Sequence, residues 1–345
     1  MIKLTKPPKL NRGDKIAAVS LSWGGAGDDE ILWRYNQGKE RIKELFGLEV
    51  VEMPHTLKGS NFIYNNPKER ADDLMQAFSD PTIKGIFSCI GGNDTIRLMP
   101  YIDYDIIKNN PKVFLGYSDT TVNHFMCYKT GLSSFYGPAI LSDFAENVSM
   151  PDYSAEWVNK VLFSTEPIGN IEQSDTWTSQ QLKWVIENKD TARTFNKNNG
   201  HKLLQGSGKA EGPLIGGCIE VVDWLRGTEL LPPISDFEGA ILFLETSEDM
   251  PEPDNFMFML RTFGALGILE VLSGIIIGKP YHNKYFDEYN NYILKVLKEY
   301  SRENIPVLAN LSFGHCEPKF ILPYGAKAQI DCETLSFSIL ESGVV

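Results

Sequence analysis

The distribution of apolar residues in the first half of the chain predicts alternating strands and helices. Residues 16–21 (IAAVSL), 86–90 (IFSCI) and 113–117 (VFLGY) are short, nearly continuous apolar runs, which are typical of strands buried on both faces. Between the first two runs, apolar residues recur at helical spacing, as in residues 67–78. Parallel strands joined by crossover helices produce this alternation. We therefore predict an open α/β domain over residues 1–165.

The apolar pattern weakens between residues 166 and 206 and then returns. This segment is polar, with Trp177 and Trp184 as isolated aromatic residues, and it predicts a long connecting loop of the kind that often carries function. Beyond it, apolar runs predict further strands, and an alternating pattern near the C-terminus predicts a closing hairpin with one solvated face. The predicted strands are 240–244, 274–277, 305–308, 326–331 and 335–340. We therefore predict a second, mixed domain over residues 207–345.

Charge excludes one class of partner. The 345 residues include 33 Lys and Arg against 45 Asp and Glu, which gives a formal net charge of −12. An anionic surface repels polyphosphate, so we predict no nucleic-acid polymer as a partner. A single small nucleotide held in a pocket remains compatible with this charge.

Cysteine usage and hydropathy predict a cytoplasmic protein that does not bind membranes. The five cysteines are scattered, odd in number and without a CxxC pair, which favours a reducing compartment. The N-terminal segment, MIKLTKPPKLNRGDK, is polar and lacks the apolar centre of a signal peptide. No run of about 18 apolar residues is present, so we expect no spanning helix.

Ser118 lies where the third apolar run ends and a predicted helix begins. A hydroxyl there is held at the carboxyl edge of the sheet, where open α/β folds bind their ligands. Backbone N–H groups at the start of the helix can stabilise a developing oxyanion. The segment GYSDT, residues 116–120, shares the G-x-S start of a nucleophile elbow but lacks its final glycine. From the residues alone, Ser118 is either a nucleophile or, like Asp119, a helix cap.

Two other predicted strands also end in polar or glycine residues. Gly91 and Gly92 would let a substrate approach the backbone closely, with the Gly92 N–H facing an oxyanion, although an ordinary turn explains the pair equally well. Glu245 follows a strongly apolar strand, and because an unpaired buried carboxylate is costly, it needs a partner. That partner is either a catalytic imidazole or a salt bridge. The acidic residues that follow, from Glu248 to Asp254, are either solvated or include one that meets a substrate amine.

His315 is the histidine with the most distinctive surroundings. Of the five histidines, it alone combines a preceding glycine, a proline shortly after it and a position just past a predicted strand. Adjacent residues such as His315 and Cys316 rarely converge on one metal ion, and no HExxH or paired cysteines are present, so we predict no metal. The glycine-rich segments at 24–27 and 206–209 complete neither a dinucleotide fingerprint nor a P-loop, so we predict no cofactor.

Five segments, in this order along nearly the whole chain, resemble the LD-carboxypeptidases and their microcin C immunity (MccF-like) relatives. They are GGND at 91–94, GYSD at 116–119, GPLIGG at 212–217, LFLETSE at 242–248 and FGH at 313–315. The resemblance implies an N-terminal flavodoxin-like domain with an open parallel sheet, a smaller C-terminal β-rich mixed domain and a homodimer. Cys218 departs from similar sequences, which often carry Asn after the Gly pair, and we expect it to affect packing only.

The resemblance also implies a role for each candidate residue. Ser118 would be the nucleophile, Glu245 the carboxylate that orients the imidazole, and His315 the general base. The N–H groups of Gly92 and Asp119 would form the oxyanion hole. The protein would then be a serine carboxypeptidase that cleaves a terminal amide through an acyl-enzyme.

Three functions remain open at this point. The first is an immunity-type peptidase that cleaves the amide between an amino acid and a nucleotide. The second is a murein LD-carboxypeptidase that removes a terminal D-alanine. The third is a non-catalytic protein that binds a small ligand, which the presence of all three triad residues argues against.

The partner is accordingly a small peptide or an aminoacyl-nucleotide, with Gly91 as part of the substrate-binding surface. Within this loop, the polar insert at residues 171–201 with its two tryptophans favours the nucleotide, because an exposed indole on a loop suits base stacking better than core packing. We expect Trp184, or failing that Trp177, to stack on the base.

Overall fold

A computed structural model describes residues 3–345, and the first two residues of the predicted polar N-terminal segment lie outside the described residues. Within this range the chain forms sixteen strands and eleven α-helices. The strands are β1 Lys15–Val19, β2 Glu49–Glu52, β3 Ile83–Ser88, β4 Val113–Gly116, β5 Phe135–Tyr136, β6 Gly169–Asn170, β7 Thr176–Trp177, β8 Asn196–Lys197, β9 Lys202–Gln205, β10 Lys209–Cys218, β11 Ile241–Glu245, β12 Gly274–Gly278, β13 Val307–Leu311, β14 Leu322–Pro323, β15 Lys327–Asp331 and β16 Ser336–Ile339. The helices are α1 Leu32–Phe46, α2 Ser60–Asn65, α3 Pro67–Ser79, α4 Tyr104–Asn109, α5 Thr121–Lys129, α6 Asp152–Leu162, α7 Ile219–Trp224, α8 Ile234–Phe237, α9 Pro253–Ala265, α10 Ile268–Val271 and α11 Phe286–Glu299.

The first sheet confirms the predicted flavodoxin-like arrangement. Over the described residues it has six strands in the order β2-β1-β3-β4-β5-β14. The first five are parallel, in the doubly wound order 2-1-3-4-5. β14 pairs antiparallel with β5 at the edge, although it comes from the C-terminal part of the chain. The central strands β1 and β4 are almost completely buried, as their continuous apolar runs predict.

The second sheet confirms the predicted β-rich mixed region. Among residues 3–345 it has eight strands in the order β6-β16-β15-β10-β11-β12-β13-β9. β10 to β13 are parallel, and antiparallel strands flank them on both sides. The predicted connecting loop, residues 166–206, is largely irregular, but it supplies β6 and β9 to this sheet and forms the separate β7–β8 pair. The sequence did not predict these strand pairings, because each strand is short and partly exposed and therefore has no continuous apolar run.

The two sheets direct the carboxyl ends of their parallel strands towards one region. Ser118 follows β4 of the first sheet, Glu245 ends β11 of the second, and His315 follows β13. Open α/β sheets bind ligands at such edges. Among residues 3–345 no helix has the length and apolar character needed to cross a membrane.

Candidate active site

Ser118 lies in a sharp turn between β4 and α5. It has a φ of 64°, in the left-handed region that residues with side chains seldom adopt. Such strain persists only where the surrounding structure holds it. Here the Ser118 N–H donates to the Tyr136 hydroxyl at 3.1 Å, which helps to hold the turn in place.

Glu245 and His315 reach Ser118 from the second sheet. His315 Nδ1 lies 2.6 Å from Glu245 Oε2, and its Nε2 lies 3.0 Å from Ser118 Oγ. Gly314 has a φ of 91°, and a Cβ there would lie 2.5 Å from Glu245 Oε2, so only glycine leaves room for the carboxylate. The structure thus brings the three candidate residues into one chain of hydrogen bonds, in the arrangement of a Ser-His-carboxylate triad.

Tyr136 joins this chain, although nothing in the sequence singled it out. It is the last residue of β5 and is completely buried. Its hydroxyl donates to Glu245 Oε1 at 2.5 Å while accepting from the Ser118 N–H. Burial and the adjacent Glu245 raise the pKa of Tyr136 well above its usual value, so the hydroxyl stays protonated and keeps donating. Both oxygens of Glu245 are therefore engaged.

Gly91 and Gly92 lie against the Ser118 turn. A Cβ on Gly91 would lie 2.8 Å from Ser118 Cβ, and a Cβ on Gly92 would lie 2.4 Å from Ser22 Oγ. Gly92 also has a φ of 141°, which side-chain-bearing residues rarely adopt. The sequence suggested that a substrate approaches this pair closely, and the structure shows that the Ser118 turn and Ser22 themselves leave no room for a Cβ at either glycine.

The Asp119 carboxylate connects the loops at three strand ends. Its Oδ2 accepts from Ser22 Oγ at 2.6 Å and from the backbone N–H groups of Asp94 and Thr95, both at 2.9 Å. These donors follow β1 and β3, whereas Asp119 follows β4. The side chain therefore fixes the glycine turn relative to the Ser118 turn.

Cys218 lies beside Glu245 in the second sheet, where the two residues are register partners. Its N–H donates to Thr121 Oγ1 at 3.2 Å, and its Sγ lies 3.3 Å from Glu220 Oε2. Burial raises the pKa of this thiol well above its usual value, so it stays protonated. These contacts agree with the expected packing role.

Glu248 is the member of the acidic loop that enters the site. Its Oε2 lies 2.9 Å from His315 Nε2, although half of its side chain is exposed. Burial opposes the charged ring, but Glu245 and Glu248 together raise the pKa of His315 to about 10. The hydrogen bond with His315 in turn lowers the pKa of Glu248 to about 2. The imidazole thus lies between two carboxylates.

A cavity of about 640 Å³ opens above Ser118 and His315, and Gly91 and Gly92 are part of its wall. Trp184, from segment 166–206, also lines it, whereas Trp177 lies elsewhere, with Lys279 Nζ 4.6 Å from its ring centroid. Of the two candidate tryptophans, the structure thus places Trp184 on the cavity.

Trp184 is half-buried and already has partners, in contrast to the exposed indole that the sequence predicts. Its ring centroid lies 6.1 Å from that of Trp23, with 29° between the planes, and the Arg34 guanidinium lies 4.6 Å from the same ring. Trp23 and Arg34 were missed by the sequence analysis. A tryptophan within the glycine-rich turn after β1, at a carboxyl edge, is the signal that could have identified Trp23.

Arg193 attaches segment 166–206 to other residues that line the cavity. Its guanidinium pairs with Glu146 and, at 3.0 Å, with Glu317. Glu317 also lies 3.4 Å from Lys319 Nζ. Burial alone would raise the pKa of Glu317, but the positive charges of Arg193 and Lys319 outweigh burial and hold this pKa below its usual value. Because Glu317 is two residues from His315, this network connects the segment to the His315 loop.

Within residues 3–345 no three His, Cys, Asp or Glu side chains converge into a group that could hold a metal ion. Cys316 Sγ lies 3.5 Å from the Pro280 carbonyl oxygen and is buried. The absence of a metal and of a cofactor stays a prediction for purified protein.

Comparison with known families assigns both halves of the chain. Residues 16–137 match the LD-carboxypeptidase N-terminal domain, and residues 211–330 match the LD-carboxypeptidase C-terminal domain. Microcin C7 self-immunity protein MccF of Escherichia coli is 32% identical over 89% of this chain and 88% of its own length. A probable murein peptide carboxypeptidase of Bacillus subtilis is 29% identical over 98% of this chain and 95% of its own.

Two solved structures have the same fold. An MccF-like protein from Streptococcus pneumoniae, in complex with AMP, has a TM-score of 0.86 at 38% identity and covers 94% of this chain and 98% of its own. MccF in complex with aspartyl sulfamoyl adenosine has a TM-score of 0.86 at 29% identity and covers 99% and 100%. Both similarities extend over nearly the whole molecule.

Proposed function

This chain belongs to the LD-carboxypeptidase family, and from that premise we propose that Ser118, His315 and Glu245 are the catalytic triad of a serine-type carboxypeptidase. The observation that carries the proposal is the continuous set of hydrogen bonds from Glu245 through His315 to Ser118, at the wall of one large cavity. Family membership makes the protein a carboxypeptidase, so the non-catalytic alternative is not favoured.

The chemistry follows from these contacts. His315 Nε2 takes the proton of Ser118 as Oγ attacks the carbonyl carbon of a terminal amide. The N–H groups of Gly92 and Asp119 stabilise the oxyanion. His315 then gives its proton to the leaving nitrogen, which leaves an acyl group on Ser118. A water molecule, deprotonated by His315, releases the acid and restores the serine. Throughout, Glu245 holds Nδ1 protonated and stabilises the imidazolium.

Tyr136 is a positioning residue in this scheme, and we expect Tyr136→Phe to lower kcat roughly tenfold to a hundredfold, with KM changed little. The variant removes a hydrogen bond to the Glu245 carboxylate, and bonds to charged groups contribute about 1.5–3 kcal/mol. Steady-state kinetics measure the effect. The matched control is Tyr324→Phe, which removes a buried hydroxyl that donates to the Gly216 carbonyl oxygen at 2.7 Å. Equal losses of kcat in both variants would assign Tyr136 to packing alone.

For the substrate we propose an aminoacyl-nucleotide or peptidyl-nucleotide, cleaved at the amide that joins its two parts, in the manner of microcin C detoxification. Trp184 and Trp23 offer aromatic surface within the cavity of the triad. The similar proteins described above were solved with AMP and with aspartyl sulfamoyl adenosine. A murein tetrapeptide is the second candidate, because the Bacillus subtilis relative is a probable murein peptide carboxypeptidase. Purified protein offered both substrates, with products identified by mass spectrometry, decides between them.

Trp184→Ala is expected to weaken kcat/KM for a nucleotide-bearing amide by roughly tenfold or more and to spare a nucleotide-free dipeptide. Stacking of a base on an aromatic ring contributes about 1–3 kcal/mol, and 1.4 kcal/mol corresponds to a factor of ten. The matched control is Trp177→Ala, in the same segment but outside the cavity. If Trp184→Ala impaired both substrates equally, the indole would only support the segment and the murein substrate would be favoured.

We further propose that the protein works as a homodimer in the cytoplasm. Over residues 3–345 all five cysteines are free and buried, as suits a reducing compartment. Light scattering on the purified protein measures the mass, and a monomer would contradict the dimer.

A further inference from the structure

Two neighbours of His315 compete for the same nitrogen. Ser118 Oγ lies 3.0 Å from Nε2, and Glu248 Oε2 lies 2.9 Å from it. Nε2 carries either a hydrogen, which it donates to Glu248, or a lone pair, which accepts from Ser118. An ionised carboxylate can only accept, so with Glu245 on Nδ1 and Glu248 on Nε2 both ring nitrogens donate and the ring is an imidazolium in this arrangement. In that state it cannot accept the proton of Ser118.

Glu248 differs from the other acidic residues of the cavity wall. Glu146 and Glu317 are both paired with Arg193. Among the residues that the structure describes, Glu248 has its ion pair with His315 and none with a lysine or arginine. A carboxylate without a permanent cation, placed beside the nucleophile, is suited to bind a cation that arrives with the substrate.

The loop that carries Glu248 is anchored, while its side chain can change partner. Glu220 Oε1 accepts from the N–H of Ser247 at 2.9 Å and from its Oγ at 2.6 Å. The backbone next to Glu248 is therefore held by a buried carboxylate, whereas the Glu248 side chain is half exposed and lines the cavity.

We propose that Glu248 binds the free α-ammonium group of the substrate's amino acid. When the Glu248 side chain leaves His315 to pair with this ammonium, the triad becomes active. This inference rests on the proposed function, in which Ser118 Oγ attacks a carbonyl carbon of the substrate. That carbon must therefore lie beside Oγ. In an aminoacyl group the ammonium is carried by the adjacent carbon, which places it within reach of Glu248. As Glu248 leaves, Nε2 releases its proton to solvent, Nδ1 keeps its proton towards Glu245, and the Nε2 lone pair can accept from Ser118.

The proposal separates two substrate classes by charge. In an aminoacyl-nucleotide the nitrogen next to the reacting carbonyl is a free ammonium, whereas in a longer peptide it is part of a neutral amide. An amide cannot replace His315 as an ionic partner of Glu248. Of the substrates proposed above, we therefore expect the enzyme to prefer the aminoacyl-nucleotide, with its free α-amine, over the peptidyl-nucleotide.

The test compares aspartyl sulfamoyl adenosine with its N-acetyl derivative in three proteins: the wild type, Glu248→Gln and Asp249→Asn. Asp249→Asn is the matched control, because it removes one exposed carboxylate from the same loop. We expect the wild type and the control to favour the free amine roughly tenfold or more in kcat/KM, since hydrogen bonds between charged groups are the stronger ones. In Glu248→Gln the ratio should fall to within about threefold of unity.

The proposal is overturned if the wild type shows no preference for the free amine over the N-acetyl derivative, or if Glu248→Gln keeps that preference. If the protein cleaves neither nucleotide compound, the proposed nucleotide substrate fails, and the same ratio is measured on L-Ala-D-Ala and N-acetyl-L-Ala-D-Ala. A free-amine preference there that Glu248→Gln removes supports the role of Glu248 alone, and an unchanged ratio refutes it. If no compound is cleaved, calorimetry gives the ratio of dissociation constants for the nucleotide pair. Tighter binding of the free amine that Glu248→Gln removes supports the ammonium site, and an unchanged ratio refutes it.

Discussion

Ser118→Ala is expected to abolish hydrolysis and to leave the protein folded. Removing the nucleophile from a cooperating triad costs on the order of 10⁶ in kcat. Alanine keeps the Cβ and loses only Oγ, whose contact with His315 is on the cavity wall. The strained turn keeps its other support, the hydrogen bond from the residue's N–H to Tyr136.

Product formation by mass spectrometry measures this loss, with the thermal midpoint as the check on folding. The matched control is Ser133→Ala, which removes a buried hydroxyl that donates to the Tyr324 carbonyl oxygen at 2.8 Å. That variant should keep its turnover. Near-wild-type activity of Ser118→Ala would require a different nucleophile.

Glu245→Gln is expected to lower kcat by on the order of 10⁴. The carboxylate accepts from the Tyr136 hydroxyl and from His315 Nδ1. A glutamine has one accepting oxygen, and if that oxygen faces Tyr136, its NH₂ group faces Nδ1. Nδ1 must then accept, which places the ring hydrogen on Nε2. In that tautomer His315 has no lone pair for the proton of Ser118.

The matched control for Glu245→Gln is Asp73→Asn, since Asp73 is also a buried carboxylate that binds a histidine Nδ1, that of His55, at 2.9 Å. Asp73 lies on α3 and does not line the cavity. Both variants are compared by kcat and by thermal midpoint. If Glu245→Gln had the kcat of the wild type, the carboxylate that orients His315 would have to be a neighbour such as Glu248.

The strand ends could be predicted because each combines a local apolar run with an abrupt change to polar residues. That pattern located Ser118 and Glu245, and the five ordered segments identified the family, which the comparisons confirm. Tyr136 could not be found in this way. It lies in a two-residue strand, and no local feature of the sequence relates it to Glu245, 109 residues away.

Arg193 and Glu248 are charged residues whose contacts also could not be predicted from the sequence. The sequence placed Glu248 in an acidic loop that was either solvated or near a substrate amine. The choice depends on how the backbone turns after β11, and Glu220, from α7, fixes that turn. Arg193 lies in a polar segment whose ion pairs involve residues 47 and 124 positions away. Charge pairing over such separations depends on the finished fold.

The antiparallel strand β14 constrains the order in which the protein can assemble during synthesis. It places Leu322 opposite Tyr136, so the sheet that carries Ser118 acquires its edge strand from residues that are synthesised after the parallel strands β10 to β13 of the second sheet. Domains of a growing chain generally fold in order from the N-terminus. Here β5 lacks its partner on one side until the His315 loop and β14 have emerged. A nascent chain therefore gains His315 and the edge strand β14 at nearly the same stage of translation.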